Sequence, residues 1–134
     1  MKLIVNIDVP DLERGIAFYR DAVGLELAQR LFDGTVAEMR GTSATVCLLA
    51  KRAGSAIAPQ ASALRDYARH WTPVHLDFEV EDVDAAVSRA IAAGAKLEGS
   101  IHSFGWGRQA TLSDPFGHGF CFLQFSEEGY DAAA

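Results

Sequence analysis

The segment at residues 74–87, VHLDFEVEDVDAAV, decides the fold, because its apolar pattern changes from period two to helical spacing. The first part alternates apolar with polar residues, as in a strand with one apolar face: Leu76, Phe78 and Val80. Asp82 is then a good helix N-cap, and apolar residues continue at helical spacing up to Gly94. The segment therefore predicts a strand followed by a helix that packs on the strand's apolar face.

The chain contains a second copy of this pattern at residues 4–16, IVNIDVPDLERGI. Aligning Asp11 with Asp82 superimposes the apolar positions of the two copies, and later in the chain Cys47 falls opposite Cys121. Further strand-like runs follow each copy, at about 26–32, 35–40 and 44–50 and at about 96–102, 108–113 and 119–125. The repeat predicts an α+β fold of two β-α-β-β-β modules, whose curved mixed sheets surround a cleft.

The modules divide a single predicted domain, 1–134, into the following parts: a first module at 1–52, a linker at 53–72, a second module at 73–126 and a tail at 127–134. The linker is rich in small and polar residues, and SALRDYARH at 62–70 is a candidate short helix. The order of the tail is expected to depend on docking.

Charge and hydropathy exclude several classes of partner. The net charge is −6 and no basic stripe is present, so nucleic acid is not an expected partner. A cationic or neutral small molecule suits the acidic chain better. No apolar run approaches the roughly 18 residues of a membrane span, and the N-terminal run is too short for a signal peptide. We therefore predict a cytoplasmic protein with no membrane partner, in which both cysteines are free thiols.

The strands' second face carries the candidate ligand-binding residues. If the helices cover the apolar faces, the opposite faces present polar side chains: Asn6, Asp8, His75, Asp77 and Glu79. Polar groups set between apolar walls are typical of small-molecule sites. A merely solvated sheet face is the competing interpretation.

The glycine-rich segment HSFGWGRQA at 102–110 adds two further candidates. Trp106 is placed to stack on a planar ligand, and Arg108 to hold a carboxylate or phosphate. Alternatively, Trp106 packs on the neighbouring module and Arg108 pairs with Asp114. Trp71 and Phe32 are weaker candidates.

Three motifs resemble the vicinal oxygen chelate superfamily, which includes glyoxalase I, extradiol dioxygenases, and fosfomycin- and bleomycin-resistance proteins. The matching motifs are VPDLERGIAFYRDAVGLEL from Val9, VHLDFEVEDVDAAVSRAIAAGAKL from Val74 and LSDPFGHGFCFLQF from Leu112. The resemblance implies the paired-module fold, a homodimer and a small-molecule ligand. It leaves the activity open, because the superfamily hosts both enzymes and drug binders.

The resemblance also implies where a metal would bind. The family's four ligand positions correspond here to Ile4, Cys47, His75 and Cys121, of which only His75 is the usual residue. One interpretation is a metal-free cleft that binds an organic molecule as in bleomycin-resistance proteins, with Cys121 among the contacts and His75 as a hydrogen-bonding group or general base. A second is a lyase, isomerase or dioxygenase whose zinc or iron is held by His75, Cys121 and Cys47. In the third, His75 only forms structural hydrogen bonds. The first interpretation is preferred, with no cofactor expected.

The residues next to Cys121 in the sequence argue against nucleophilic catalysis by its thiol. A reactive thiol needs surroundings that stabilise the thiolate, whereas the neighbours of Cys121 along the chain are Phe120 and Phe122.

Overall fold

The computed structural model describes residues 1–70 and 72–134, and these form two compact units. The first unit is Met1–Ala68 and the second is Arg69–Ala134. The division falls inside the predicted linker. Trp71, one of the weaker ligand candidates, lies outside the described residues.

The first unit contains one four-stranded mixed sheet and one main helix. Its elements are β1 (Ile4–Val9), α1 (Leu12–Phe18), β2 (Glu26–Leu31), β3 (Val36–Arg40) and β4 (Thr45–Ala50). The strand order is β1-β4-β3-β2, with β1 parallel to β4 and the other pairs antiparallel. Asp11 caps α1 as predicted, and a π-helical segment at Tyr19–Val23 continues the helix to Gly24, whose φ is 85°. The unit has the predicted β-α-β-β-β order.

The second unit repeats this arrangement with one strand divided. Its elements are β5 (Leu76–Glu79), α2 (Val83–Ala92), β6 (Lys96–Leu97), β7 (His102–Phe104), β8 (Gly107–Ser113) and β9 (Gly119–Phe125). The strand order is β5-β9-β8-β6, with β5 parallel to β9 and with β7 also paired to β8. The strand predicted at 96–102 is thus interrupted, and Gly99 within the interruption has a φ of 82°. The two mixed sheets confirm the predicted fold class.

The core of each unit lies between the helix and the predicted apolar face of the sheet. In the first unit Val9, Leu48 and Met39 are fully buried on that face, with Leu12 and Ile16 of α1 also buried. In the second, the buried set combines strands β8 and β9 with helix α2: Ala110, Leu112, Phe120, Phe122, Val83, Ala86 and Val87. The period-two pattern therefore assigns the faces correctly.

The predicted short helix at 62–70 is wrong. This segment is irregular rather than helical, and its Leu64 forms an isolated bridge with Ala56. Arg65 donates from Nε to the Asp8 carboxylate at 2.6 Å and from Nη1 to the Ser55 hydroxyl at 3.3 Å. These tertiary hydrogen bonds outweigh a weak local preference for helix.

The C-terminal tail is docked on the second unit. A 3₁₀ helix spans Gly129–Ala133, and the ring of Tyr130 lies 4.6 Å from that of Phe125 and 5.4 Å from that of Trp106. Aromatic contacts thus supply the docking on which the tail's order was expected to depend.

No helix in the described part of the chain combines the length and the hydropathy that crossing a membrane requires.

Gly107 is the position where a side chain would damage the second unit most clearly. Its φ is 150°, and an added Cβ would lie 2.2 Å from the Gln124 carbonyl oxygen on the adjacent strand. We predict that Gly107→Ala lowers the free energy of unfolding by more than about 2 kcal/mol, because both the backbone conformation and the contact become strained. Urea denaturation measures this. Gly105→Ala, where a Cβ would meet no atom within 4 Å, is the matched control. Equal stabilities for the two variants would contradict the prediction.

Candidate functional site

Strand β9 separates two kinds of surface. Phe120 and Phe122 belong to the buried aromatic group on the helix side, with ring centroids 6.0 Å and 6.3 Å from that of Phe78. Cys121 points to the opposite face because side chains alternate along a strand. Its register partners are Asp77 on β5 and Thr111 on β8. Three strands therefore place a carboxylate, a thiol and a hydroxyl side by side.

A cavity of about 220 Å³ opens on this face. Its lining comes from β8, β9 and the segment before β5: Arg69, His70, Thr72, His75, Gln109, Thr111, Gly119, Phe120 and Cys121. A cavity of about 150 Å³ admits benzene, so this one has room for a substituted ring. All of the lining residues belong to the second unit.

Hydrogen bonds order the polar groups around the cavity. The Nε2 atom of His75 lies 3.1 Å from Oδ1 of Asp77. The amide of Gln109 donates to the Cys121 sulfur at 3.5 Å, and the Thr111 hydroxyl oxygen lies 3.6 Å from the same sulfur. Cys121 is only 4% exposed, whereas the side chain of His75 is 55% exposed. The thiol therefore lies deep in the cavity, and the imidazole lies nearer its entrance.

The segment before β5 is fixed to the second unit by charged and aromatic contacts. Arg69 forms two bonds to Glu98, at 2.5 Å and 3.1 Å, and the pKa of the Glu98 carboxyl is lowered mainly by the Arg69 hydrogen bond. His70 Nε2 lies 3.0 Å from His118 Nδ1. In the turn before β9, the Asp114 carboxylate accepts bonds from the backbone N–H groups of Phe116 and His118. The D-P-x-G turn thus supports one wall of the cavity.

Glu79 also lies on this face of β5, two residues beyond Asp77 and with Leu123 as its register partner. It is exposed. Of the predicted ligand-binding residues, the structure therefore brings His75, Asp77 and Cys121 together, with Glu79 farther along the same face.

Asn6 and Asp8 occupy the equivalent face of the first unit. Asn6 is the register partner of Cys47, which in turn pairs with Glu38 of β3. Burial, and secondarily the Glu38 charge, raises the pKa of the Cys47 thiol. The Asp8 carboxylate is held by Arg65.

Glu38 is a buried carboxylate that the sequence analysis did not select. Its side chain accepts bonds from Gln29 at 2.6 Å and from Arg40 at 2.7 Å, and the pKa of the carboxyl is lowered chiefly by the Gln29 bond. The sequence feature that could have indicated Glu38 is its position between Ala37 and Met39, which are buried on the opposite face of the same strand.

Arg108 lies on the other face of the second sheet. Its guanidinium binds the Asp84 carboxylate of α2, at 2.6 Å and 3.2 Å. The alternative expectation of a pair with Asp114 is wrong, because the side chain points to the helix side, where the first turn of α2 supplies the carboxylate. The structure does not bring Arg108 together with His75.

Trp106 belongs to an aromatic cluster of the second unit, formed with Phe104, Phe125 and Tyr130. Its ring stacks on that of Phe104 at 5.0 Å with an interplanar angle of 6°. Phe104 and Tyr130 are the exposed members of the cluster. In the described residues, Trp106 therefore makes its ring contacts within its own unit, and it is not among the residues that line the cavity.

The donor atoms at the site suit zinc better than a hard divalent ion. The four positions that the family resemblance marks carry one alkyl group, one imidazole and two thiols, which do not suit hard ions such as Mg²⁺ or Mn²⁺. His75, Asp77 and Cys121 offer one nitrogen, one oxygen and one sulfur within 4.8 Å of one another. That donor set fits zinc, with Asp77 in a place that the sequence analysis did not foresee. Cys47, the third predicted ligand, belongs to the other unit.

Comparison with known proteins agrees with this architecture. A family model described as a glyoxalase-like domain matches residues 4–123. The chain belongs to this family. It therefore falls within the glyoxalase, bleomycin-resistance and dioxygenase superfamily, as the sequence motifs indicated.

Solved structures of the superfamily share the fold at low sequence identity. A family member from Burkholderia phytofirmans superimposes with a TM-score of 0.72 and 21% identity, covering 92% of this chain and 97% of that one. The fosfomycin resistance protein FosX from Listeria monocytogenes gives a TM-score of 0.70 and 18% identity, covering 96% and 95%. At such identities the likeness shows the fold alone.

A curated relative matches part of the chain. The anthracycline biosynthesis protein DnrV of Streptomyces peucetius is 42% identical over 65 residues, which is 48% of this chain. Those residues make up 22% of DnrV, so this glyoxalase-like chain matches about a fifth of that protein's length.

Proposed function

We propose that this glyoxalase-like protein binds a small organic molecule without the family's usual metal centre. The observation that carries the proposal is the cavity of the second unit, which has room for a ring and displays three kinds of polar group. The sequence-based prediction placed the ligand in a cleft between the modules. The proposal assigns the ligand's contacts with the second module to this cavity, and Asn6 and Asp8 remain predicted contacts of the first module.

The proposed ligand is aromatic and carries hydrogen-bonding substituents. The Gln109 amide, the Thr111 hydroxyl and the His75 imidazole supply polar contacts to its substituents. The partial relative DnrV is named for the biosynthesis of anthracyclines, which are planar polycyclic aromatic compounds. Asp77 and Glu79, both acidic, favour a cationic substituent at the cavity's edge.

His75 is the residue proposed to orient the ligand. Its Nε2 atom faces Asp77, and this contact fixes the ring while leaving Nδ1 for a second hydrogen bond. In that position the imidazole can bind a ligand hydroxyl or accept its proton, which makes His75 the candidate catalytic residue if a reaction occurs. A homodimer and a cytoplasmic location remain predictions.

Calorimetric titration with a hydroxyanthraquinone tests the proposal. We expect saturable binding with one site per chain, and His75→Ala is expected to weaken the affinity about tenfold, which corresponds to one hydrogen bond worth about 1.4 kcal/mol. Arg108→Ala serves as the control, because Arg108 is bound to Asp84 on the other face of the sheet. Absence of binding, or equal losses in the two variants, would argue against this site.

A metal-dependent lyase, isomerase or dioxygenase is the second candidate function. It is favoured by the zinc-compatible group of His75, Asp77 and Cys121. A bound metal would polarise a carbonyl or activate water, and these three residues would hold it. In this candidate Asp77 takes the place of Cys47 in the predicted ligand set of His75, Cys121 and Cys47.

Elemental analysis of protein purified without chelators separates the two candidates. The preferred function predicts less than stoichiometric zinc or iron in the wild type. About one metal per chain, lost in Cys121→Ser and Asp77→Asn but kept in the Cys47→Ser control, would establish the second candidate instead.

A further inference from the structure

We infer that Cys121 is a nucleophile that captures a conjugated carbonyl compound covalently, with His75 as its base and Asp77 orienting that base. The inference rests on the proposed function, because it assigns a chemical class to the ligand of the same cavity. The class comprises enones and quinones, which are soft electrophiles suited to sulfur.

The surroundings of the Cys121 sulfur are polar, contrary to what the neighbouring residues in sequence suggest. Alternation along β9 turns Phe120 and Phe122 away from the sulfur's side. On that side the Gln109 amide and the Thr111 hydroxyl lie within 3.6 Å of the sulfur. The Gln109 amide donates its hydrogen bond to the sulfur, so the apolar neighbours along the chain do not describe the surroundings of the thiol.

The arrangement has the parts of a nucleophile–base–orienter group. A donor atom of His75 lies within 4.8 Å of the Cys121 sulfur, and the imidazole is held by the Asp77 carboxylate at 3.1 Å. The separation exceeds a hydrogen bond, as is common for nucleophile and base before a substrate binds. Because Asp77 holds Nε2, Nδ1 is the nitrogen left to act as the base.

The internal repeat provides a natural comparison in Cys47. Cys47 and Cys121 occupy the same register position, each in the strand that pairs in parallel with the first strand of its unit. Each cysteine has one carboxylate among its register partners, Glu38 for Cys47 and Asp77 for Cys121, but the position equivalent to His75 is Ile4 in the first unit. Burial and the Glu38 charge raise the pKa of the Cys47 thiol. The structure thus assigns reactivity to the more buried of two equivalent cysteines.

The proposed step is an addition that needs no further reactant. A bond forms between the Cys121 sulfur and the carbon β to the carbonyl, and the carbon–carbon π pair shifts toward the carbonyl oxygen. The thiol proton passes to His75 and then to the carbon α to the carbonyl. All atoms of both partners are retained in the product, and the reverse sequence releases the ligand.

Alkylation by N-ethylmaleimide, itself a conjugated carbonyl compound, tests the inference. The full chain, dialysed against chelator, is reacted under native conditions, and the rate at each cysteine is followed by peptide mass spectrometry. We expect Cys121 to react at least about tenfold faster than Cys47, because His75 lies near Cys121 as a base, whereas burial and the Glu38 charge raise the pKa of the Cys47 thiol. Exposure alone predicts the reverse order, since Cys121 is buried and Cys47 is partly exposed.

Variants identify the base. His75→Asn is expected to slow alkylation of Cys121 about 100-fold, the lower end of general-base effects, and to leave Cys47 unchanged. Glu81→Gln, at an exposed position beyond the end of β5, is the matched control and should alter neither rate. In denaturant the two cysteines should react equally, which shows that the difference arises from the fold.

Two results would overturn the inference: a rate at Cys47 equal to or above that at Cys121, or an unchanged Cys121 rate in His75→Asn. Hydroxyanthraquinone binding to Cys121→Ser distinguishes this failure from failure of the proposed function. If Cys121→Ser binds the hydroxyanthraquinone but Cys121 of the wild type is alkylated slowly, the nucleophile is refuted and the proposed function stands. If the wild type does not bind the hydroxyanthraquinone, the proposed function is refuted.

Discussion

The parallel pairing of β5 with β9 is the interaction on which the site depends. This pairing sets Asp77 opposite Cys121 and Phe78 opposite Phe122 in one register. Because side chains alternate, a slip of one residue would turn the aromatic core toward the cavity and the acid–thiol pair toward helix α2. Packing against α2 therefore fixes the site as well as the core. The chemistry of the open face follows from the burial of the other face.

The first unit shows that this architecture does not by itself specify a site. Its β1–β4 pair has the same parallel arrangement, with Asn6 opposite Cys47. There the thiol faces a carboxylate that is already engaged by Gln29 and Arg40. The same register position thus carries a cysteine beside a carboxylate in both units, and the second unit adds His75 where the first has Ile4. The chemical difference lies in side chains, since the strand pairing is the same.

The sequence was sufficient to predict what depends on local periodicity. The period-two segments predicted both sheet faces, and the aspartates at helix starts predicted the caps at Asp11 and Asp82. It was insufficient where long-range contacts decide the outcome. Alternation from Gln109 leaves Arg108 on the helix side, but only the fold shows that Asp84 lies within its reach. The segment at 62–70 has local helical preference, yet it is not helical, and Arg65 within it bonds to Asp8 and Ser55.

The positions of two residues beside the Cys121 sulfur, Gln109 and Thr111, could have been predicted from the period-two pattern but were not. Thr111 and Gln109 share the face of Cys121 because all three follow the alternation of adjacent strands. Their contacts with the sulfur require the register of β8 against β9, which a single sequence does not supply. For the same reason, the inference of apolar surroundings for Cys121 from its sequence neighbours Phe120 and Phe122 was wrong.

The central claim is that the ligand occupies the open face of the second sheet. The most direct measurement is methyl NMR of the protein, labelled at threonine, alanine and leucine, during titration with a hydroxyanthraquinone. Thr111 lies on the cavity face, whereas its neighbours Ala110 and Leu112 are buried on the helix side. The account predicts a large shift of the Thr111 methyl signal and small shifts for Ala110 and Leu112. Large shifts of the helix-side methyls without a change at Thr111 would contradict it.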